Sequence, residues 1–183
     1  MALTPSTMVE LGRPLPAFRL PDARGTLFDS ADLADAPVLV AFICNHCPYV
    51  KHIATVFSAL ARELTEQGLA VVAINSNDWD KHPDDAPEKM RAEILARDYV
   101  FPYLADAEQD VARAFDAACT PDFFLYDKGH RLVWRGQFDD SRPGNEIPVT
   151  GKDLRDAARA VLAGRAPEGE QQPSIGCNIK WRV

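Results

Sequence analysis

The sequence lacks the features that would place it on nucleic acid, in a bilayer or on an export route. There is no basic excess: 20 Lys and Arg stand against 27 Asp and Glu, a formal net charge of −7. Such a field repels polyanions, so no nucleic-acid partner is expected. No apolar run approaches the roughly 20 residues that a spanning helix needs, the longest being Pro37 to Ile43. The opening MALTPSTMVELGRP carries Glu10 and two prolines where an export signal needs an apolar stretch. The expected setting is therefore cytoplasmic, with no membrane partner. No repeat, low-complexity tract or long linker divides the chain. Its 183 residues, 46% hydrophobic and 26% charged, are expected to form one domain over 1–183, with 165–183 a tail packing back on it. Cysteine is scarce too. There are four, and in a reducing compartment they ask for a chemical rather than a structural explanation.

Local patterns give the order of elements. Phe18-Arg19-Leu20 and Thr26-Leu27-Phe28 flank the turn signal Asp22-Ala23-Arg24-Gly25, which predicts an N-terminal hairpin. Val38 to Ile43 is a continuous run rich in β-branched residues, suited to a strand buried on both faces. After Cys44-Asn45-His46-Cys47-Pro48, the residues Val50, Ile53, Ala54, Phe57, Leu60, Ala61 and Leu64 recur at three- and four-residue steps and predict a helix stopped by Gly68. Leu69 to Ile74 is a second buried strand. An acidic loop, Asn75 to Asp85, follows, and Asp85-Ala86-Pro87-Glu88 opens a helix to about Arg97. Phe101 to Leu104 is a short extended piece, and Asp106 with Gln109 forms a capping box for a short helix through Phe115. Phe123 to Tyr126 and Leu132 to Trp134 form a hairpin across Asp127-Lys128-Gly129-His130. Thr150 to Ala163 is the last helix. Alternating strand and helix, then a hairpin and a helix, predict an α/β fold: a central mixed sheet with helices on both faces.

The chemistry gathers where the first buried strand meets its helix. Two cysteines three residues apart at a helix start can close a small disulfide ring, and the helix end offers N–H groups and partial positive charge to a thiolate. A thiol in such a turn is commonly lowered from about 8.5 to roughly 3.5–7.5, so Cys44 is expected to attack and Cys47 to resolve. His46 between them, when protonated, favours the thiolate and with it the reduced form. A stabilised reduced form implies a potential less negative than about −270 mV. The same spacing also suits a zinc half-site, which would need two further ligands. No second Cys-x-x-Cys and no His-x-x-x-His supplies them. His52, His82 and His130 are expected on the surface or in turns, and Trp79 at the rim of the acidic loop.

The strand Val38 to Ile43, the Cys44-Asn45-His46-Cys47 turn, the long helix, and Thr120-Pro121 ahead of Asp122 to Tyr126 together resemble the thioredoxin fold. Gly12, Pro16, Phe18, Leu20, Asp22 and Gly25 resemble its alkyl hydroperoxide reductase and thiol-specific antioxidant branch. More narrowly, Cys119 to Phe124, Phe138-Asp139-Asp140-Ser141-Arg142-Pro143 and Gly176-Cys177-Asn178-Ile179-Lys180-Trp181 resemble a peroxiredoxin-like group of bacterial proteins. The resemblance implies a thiol–disulfide oxidoreductase with no cofactor beyond a Cys44–Cys47 disulfide, acting on protein or small-molecule thiols and disulfides. It implies a cis peptide before Pro121, which would present the Thr120 backbone to a substrate's chain, with Asn45, His46 and Pro48 as supporting residues. The buried acid that many thioredoxins keep six residues before the first cysteine is replaced by Val38. A proton acceptor is then expected from water or the Asn77-Asp78 loop.

Two other activities stay open. Peroxiredoxins reduce peroxides with a cysteine set among a proline, a threonine and a distant arginine. Laid on that pattern, Cys47 takes the cysteine position, Cys44 the threonine, Val40 the proline and Pro121 the arginine, so the leaving oxygen lacks its usual donors unless Arg135 or Arg142 approaches from elsewhere. A metal-carrying module would use Cys44, Cys47 and His46. Cys119 and Cys177 are expected near each other, as a structural pair, a second redox relay or two small buried hydrophobes. The Asp139-Asp140-Ser141-Arg142 turn either caps the hairpin or serves the site.

Overall fold

The computed structural model describes residues 3–33 and 35–183. The described residues form ten strands: β1 (Leu3–Pro5), β2 (Arg19–Pro21), β3 (Leu27–Asp29), β4 (Val38–Phe42), β5 (Ala70–Asn75), β6 (Tyr103–Ala105), β7 (Cys119–Thr120), β8 (Asp122–Tyr126), β9 (Leu132–Gly136) and β10 (Ile175–Asn178). Four α-helices join them: α1 (Pro48–Glu66), α2 (Pro87–Arg97), α3 (Asp110–Phe115) and α4 (Lys152–Leu162). The central sheet has the order β6-β5-β4-β8-β9. β4, β5 and β6 run parallel, β8 runs antiparallel to β4, and β9 runs antiparallel to β8, so the sheet is mixed.

Period-two alternation along β4 sorts the core into two layers. Leu39, Ala41 and Ile43 pack with Phe57, Leu60 and Leu64 of α1, Met90 of α2 and Leu154 of α4. Val38, Val40 and Phe42 face the other way, onto Val111 and Phe115 of α3 and onto Phe18 and Leu20 at the N-terminal hairpin β2-β3. Both faces of β4 are covered, which is why its sequence is apolar without interruption. α1 buries the positions its spacing picked out, and Pro48 stands at its start, where a missing N–H costs nothing. Among the described residues no helix is long and apolar enough to cross a membrane.

The tail contributes β10, which lies between β1 and β7 in a separate antiparallel sheet, with Cys177 opposite Thr120 and Asn178 opposite Cys119. Three local expectations are revised. Asp85 does not cap α2; Ala86 holds that position with no side-chain bond, and Asp85 ends a 3-10 turn, Pro83–Asp85. Asp106 does receive the Val111 and Ala112 N–H groups of α3, but Gln109 turns away and donates instead to the Ser76 and Lys180 carbonyls. α4 begins at Lys152 rather than Thr150, because Asp139 accepts the Thr150 and Gly151 N–H groups and Gly151 turns the chain with φ 68°. The Asp139 turn thus organises the start of α4.

Candidate active site

β4 ends at Phe42, and the chain passes through Cys44-Asn45-His46 to Cys47, the N-cap of α1. This turn is held by three bonds to Asn45. Its backbone N–H donates to Asp85 Oδ1 (2.7 Å), its side-chain amide donates to the Asp84 carbonyl (2.9 Å), and Tyr103 of β6 donates its hydroxyl to Asn45 Oδ1 (2.8 Å). Both cysteines are buried, Cys44 2% and Cys47 0% exposed. The Thr120–Pro121 peptide is cis. Thr120 lies over the dithiol, its hydroxyl 3.5 Å from Cys44 Sγ and its carbonyl oxygen 3.3 Å from Cys47 Sγ.

The residue that sequence patterns missed is Asp85. It is fully buried, and its carboxylate accepts from Asn45 N, from Asn77 Nδ2 (2.8 Å) and from His46, whose Nδ1 is 2.6 Å away. Burial works against the charge, yet these donors together hold the carboxyl below its usual range. The bond to Asp85 in turn raises the His46 pKa. Both shifts favour the ion pair, so Asp85 is the main partner of the His46 ring. His82 stacks on His46 with centroids 5.4 Å apart and the planes 8° from parallel, a contact its surface assignment did not anticipate. An acid near the dithiol is thus present, at the end of the acidic loop rather than at Asn77-Asp78. Cys44, His46 and Asp85 present ligand-type atoms within 4.8 Å of one another, with Asp85 already accepting three N–H donors.

The two sulfurs differ in acidity. The Cys44 thiol is held well above its ordinary range by its hydrogen bond to Cys47, by burial and by the Asp85 charge. Cys47 is pushed down to about 4, first by the Cys44 hydrogen bond and, against its own burial, by donors from Cys177, Thr120 and the Val50 N–H at the start of α1. Cys47 is thus the more acidic of the two thiols.

β10 brings Cys177 alongside the strand that carries Cys119, as expected, but the two sulfurs make other contacts. Cys177 Sγ lies 2.9 Å from Cys47 Sγ, while Cys119 Sγ points to the Pro121 carbonyl oxygen, 3.6 Å away. The cause is register: antiparallel pairing puts Cys177 opposite Thr120, not opposite Cys119. The two arginines held in reserve are committed elsewhere. Arg135 donates to the Val9 carbonyl and Gln171, and Arg142 to the Asp139 carbonyl and Gln137. His52 lies 2.7 Å from Ser141 Oγ, His130 contacts the Leu33 and Ala36 carbonyls, and Trp79 sits against the Arg182 guanidinium. Beside the turn, a depression of about 220 Å³ is lined by Asn45, His46, Lys51, Asp84, Lys89 and Glu93.

Comparison with known proteins bears on this geometry. A crystal structure of a hypothetical protein from Sinorhizobium meliloti superposes with a TM-score of 0.96 at 54% identity, covering 98% of this chain and 99% of that one. A protein of Mycobacterium tuberculosis named "Putative peroxiredoxin" is 32% identical over 116 residues, 63% of this chain and 69% of its own. A thioredoxin family protein from Chlorobium tepidum, 16% identical, superposes with a TM-score of 0.65 over 84% of this chain and 99% of its own, and the fold is the thioredoxin fold. With residues 11–135 matching the AhpC/TSA family model, the chain belongs to the AhpC/TSA family.

Proposed function

We propose that this chain is a thiol–disulfide oxidoreductase whose working pair is Cys44 and Cys47. The observation that carries the reading is the arrangement of the two sulfurs at the start of α1, under the Thr120 hydroxyl and carbonyl. Cys44 passes its proton to Cys47 and attacks one sulfur of a substrate disulfide as the thiolate; the first product leaves as a thiolate and takes up that proton from Cys47. The Cys47 thiolate then attacks Cys44 Sγ, the substrate–Cys44 bond breaks, and the second product departs as a thiolate. Two electrons have passed from the pair to the substrate, and a Cys44–Cys47 disulfide remains. Reversed, the same steps oxidise a dithiol.

Within this reading Asn45 fixes the turn and Asp85 holds the proton on Cys44 until a substrate arrives. With Cys44 2% exposed, local opening precedes attack. The test is turnover of insulin disulfides with dithiothreitol as reductant. Catalysis that falls at least a hundredfold in both Cys44→Ser and Cys47→Ser supports the reading, and turnover that survives either substitution contradicts it.

A second reading, peroxide reduction at Cys47, is favoured by one observation, the low pKa of a cysteine at the helix start. It is opposed by the commitment of Arg135 and Arg142 to other partners and by the cysteine that stands at the threonine position. Hydrogen peroxide consumption that disappears in Cys47→Ser but persists in Cys44→Ser would select this alternative.

A further inference from the structure

The dithiol mechanism leaves one neighbouring sulfur unused. Cys177 is 3% exposed, it packs on the buried face of the working pair, and its strand is fastened there from both ends. On one side Ser174 donates its hydroxyl to the Pro121 carbonyl (2.6 Å). On the other, Ile179 N donates to the Ala118 carbonyl, and Lys180 N donates to Asn77 Oδ1, whose amide in turn donates to Asp85. Gly176 makes the approach possible. A Cβ at this position would stand 1.9 Å from the Thr120 carbonyl oxygen, well inside contact distance, so the strand can lie this close only without a side chain. That same oxygen is 3.3 Å from Cys47 Sγ. The strand thus runs along the β7 edge beside the dithiol, and it carries a sulfur of its own into the site.

The three sulfurs have an order. Cys47 lies between Cys44, with which it shares a proton, and Cys177, 2.9 Å away. A disulfide needs about 2.05 Å between sulfurs, so closing Cys47 onto Cys177 asks for a displacement of only about 1 Å. Cys119 takes no part, because its sulfur is turned to the Pro121 carbonyl.

We propose that Cys177 is a third redox residue that takes the disulfide over from Cys44. In the oxidised pair, Cys177 attacks Cys47 Sγ. The Cys47–Cys177 bond forms, the Cys44–Cys47 bond breaks, and the proton lost by Cys177 goes to Cys44. No outside oxidant or reductant is needed, because the step moves one disulfide within the chain and leaves the number of thiols unchanged. The oxidising equivalent ends on the C-terminal strand, and Cys44 is released as a thiol. This inference rests on the dithiol reading above, because it starts from the Cys44–Cys47 disulfide.

The test uses the full chain in three forms, all carrying Cys119→Ser: that substitution alone, with Cys177→Ser, and with Cys44→Ser. Each is oxidised with diamide, quenched with iodoacetamide under denaturing conditions and mapped by mass spectrometry without reduction. The proposal expects both Cys44–Cys47 and Cys47–Cys177 linkages in the first, with Cys44 alkylated in the molecules that carry the second. In the Cys177→Ser form only Cys44–Cys47 remains, and alkylation of Cys44 falls at least tenfold. In the Cys44→Ser form the Cys47–Cys177 bond forms within one chain. The inference is overturned if the first form shows Cys44–Cys47 alone, a result that does not depend on how well the Cys44→Ser form folds. A Cys177→Ser form that makes no Cys44–Cys47 disulfide instead sinks the dithiol reading, and the relay falls with it. The two failures are thereby told apart.

Discussion

Replacing Asp85 by Asn removes a negative charge from beside Cys44 at almost constant volume. Because Asp85 raises the Cys44 pKa, Asp85→Asn should make Cys44 more acidic, and its alkylation at pH 8 should speed up several-fold, one pKa unit being about 1.36 kcal/mol. An unchanged or slower rate at Cys44 would contradict the charge assignment. A second carboxyl offers a different pH test. Burial pushes the Asp122 pKa up to about 7, so the folded chain holds a proton there that the unfolded chain releases near the ordinary value of 3.8. Folding then binds the extra proton, and stability from this group is lost as pH rises from about 4 to 7. Denaturant titrations of Asp122→Asn should show a flatter dependence between pH 4 and 7 than the parent, and equal slopes would refute the assignment. Asp85 was not legible in the sequence. An Asp ahead of Ala-Pro-Glu is a sound signal for a helix start, while its true partner, the Asn45 N–H, is 40 residues away in the chain. A single sequence carries no trace of such a contact.

Among the elements, α1 and β4 were the most legible, because their periodicities follow directly from which faces are buried. The β8-β9 hairpin was equally plain from its Asp-Lys-Gly-His turn. β10 was not, since four residues in a polar tail have too little pattern to reveal a partner. Its register, which carries Cys177 to Cys47 across 130 positions, follows from tertiary packing alone. The strand's tightest constraint is Gly176. In Gly176→Ala the methyl group collides with the Thr120 carbonyl, and overpacking of this kind costs about 1–3 kcal/mol. The expected result is a lower denaturant midpoint together with faster labelling of Cys47. A variant with the parent's midpoint and labelling rate would show that β10 does not cover the site.

At the scale of the molecule, the family match ends at residue 135, before α4 and β10. The part of the chain that matches supplies β4, the turn, α1 and the Thr120-Pro121 segment; the part beyond it supplies the strand that covers them. This explains why the sequence pointed to the thioredoxin fold and to Cys44 with Cys47, yet did not reveal that Cys177 reaches Cys47. It also explains the low exposure of the pair, which β10 encloses from one side. A thiolate stabilised on Cys47 favours the reduced form, so the pair should be more oxidising than the thioredoxin value of about −270 mV. The cause is the helix start and its thiol donors rather than the His46 charge, which Asp85 holds.

The measurement that reaches the central claim most directly is a redox titration, against glutathione buffers, of the full chain carrying Cys119→Ser and Cys177→Ser, so that Cys44 and Cys47 are the remaining thiols. The account predicts a reversible two-electron transition between two thiols and one intramolecular disulfide, with a midpoint less negative than about −270 mV. Two thiols that persist at every poise, or that only take up glutathione singly, would contradict it.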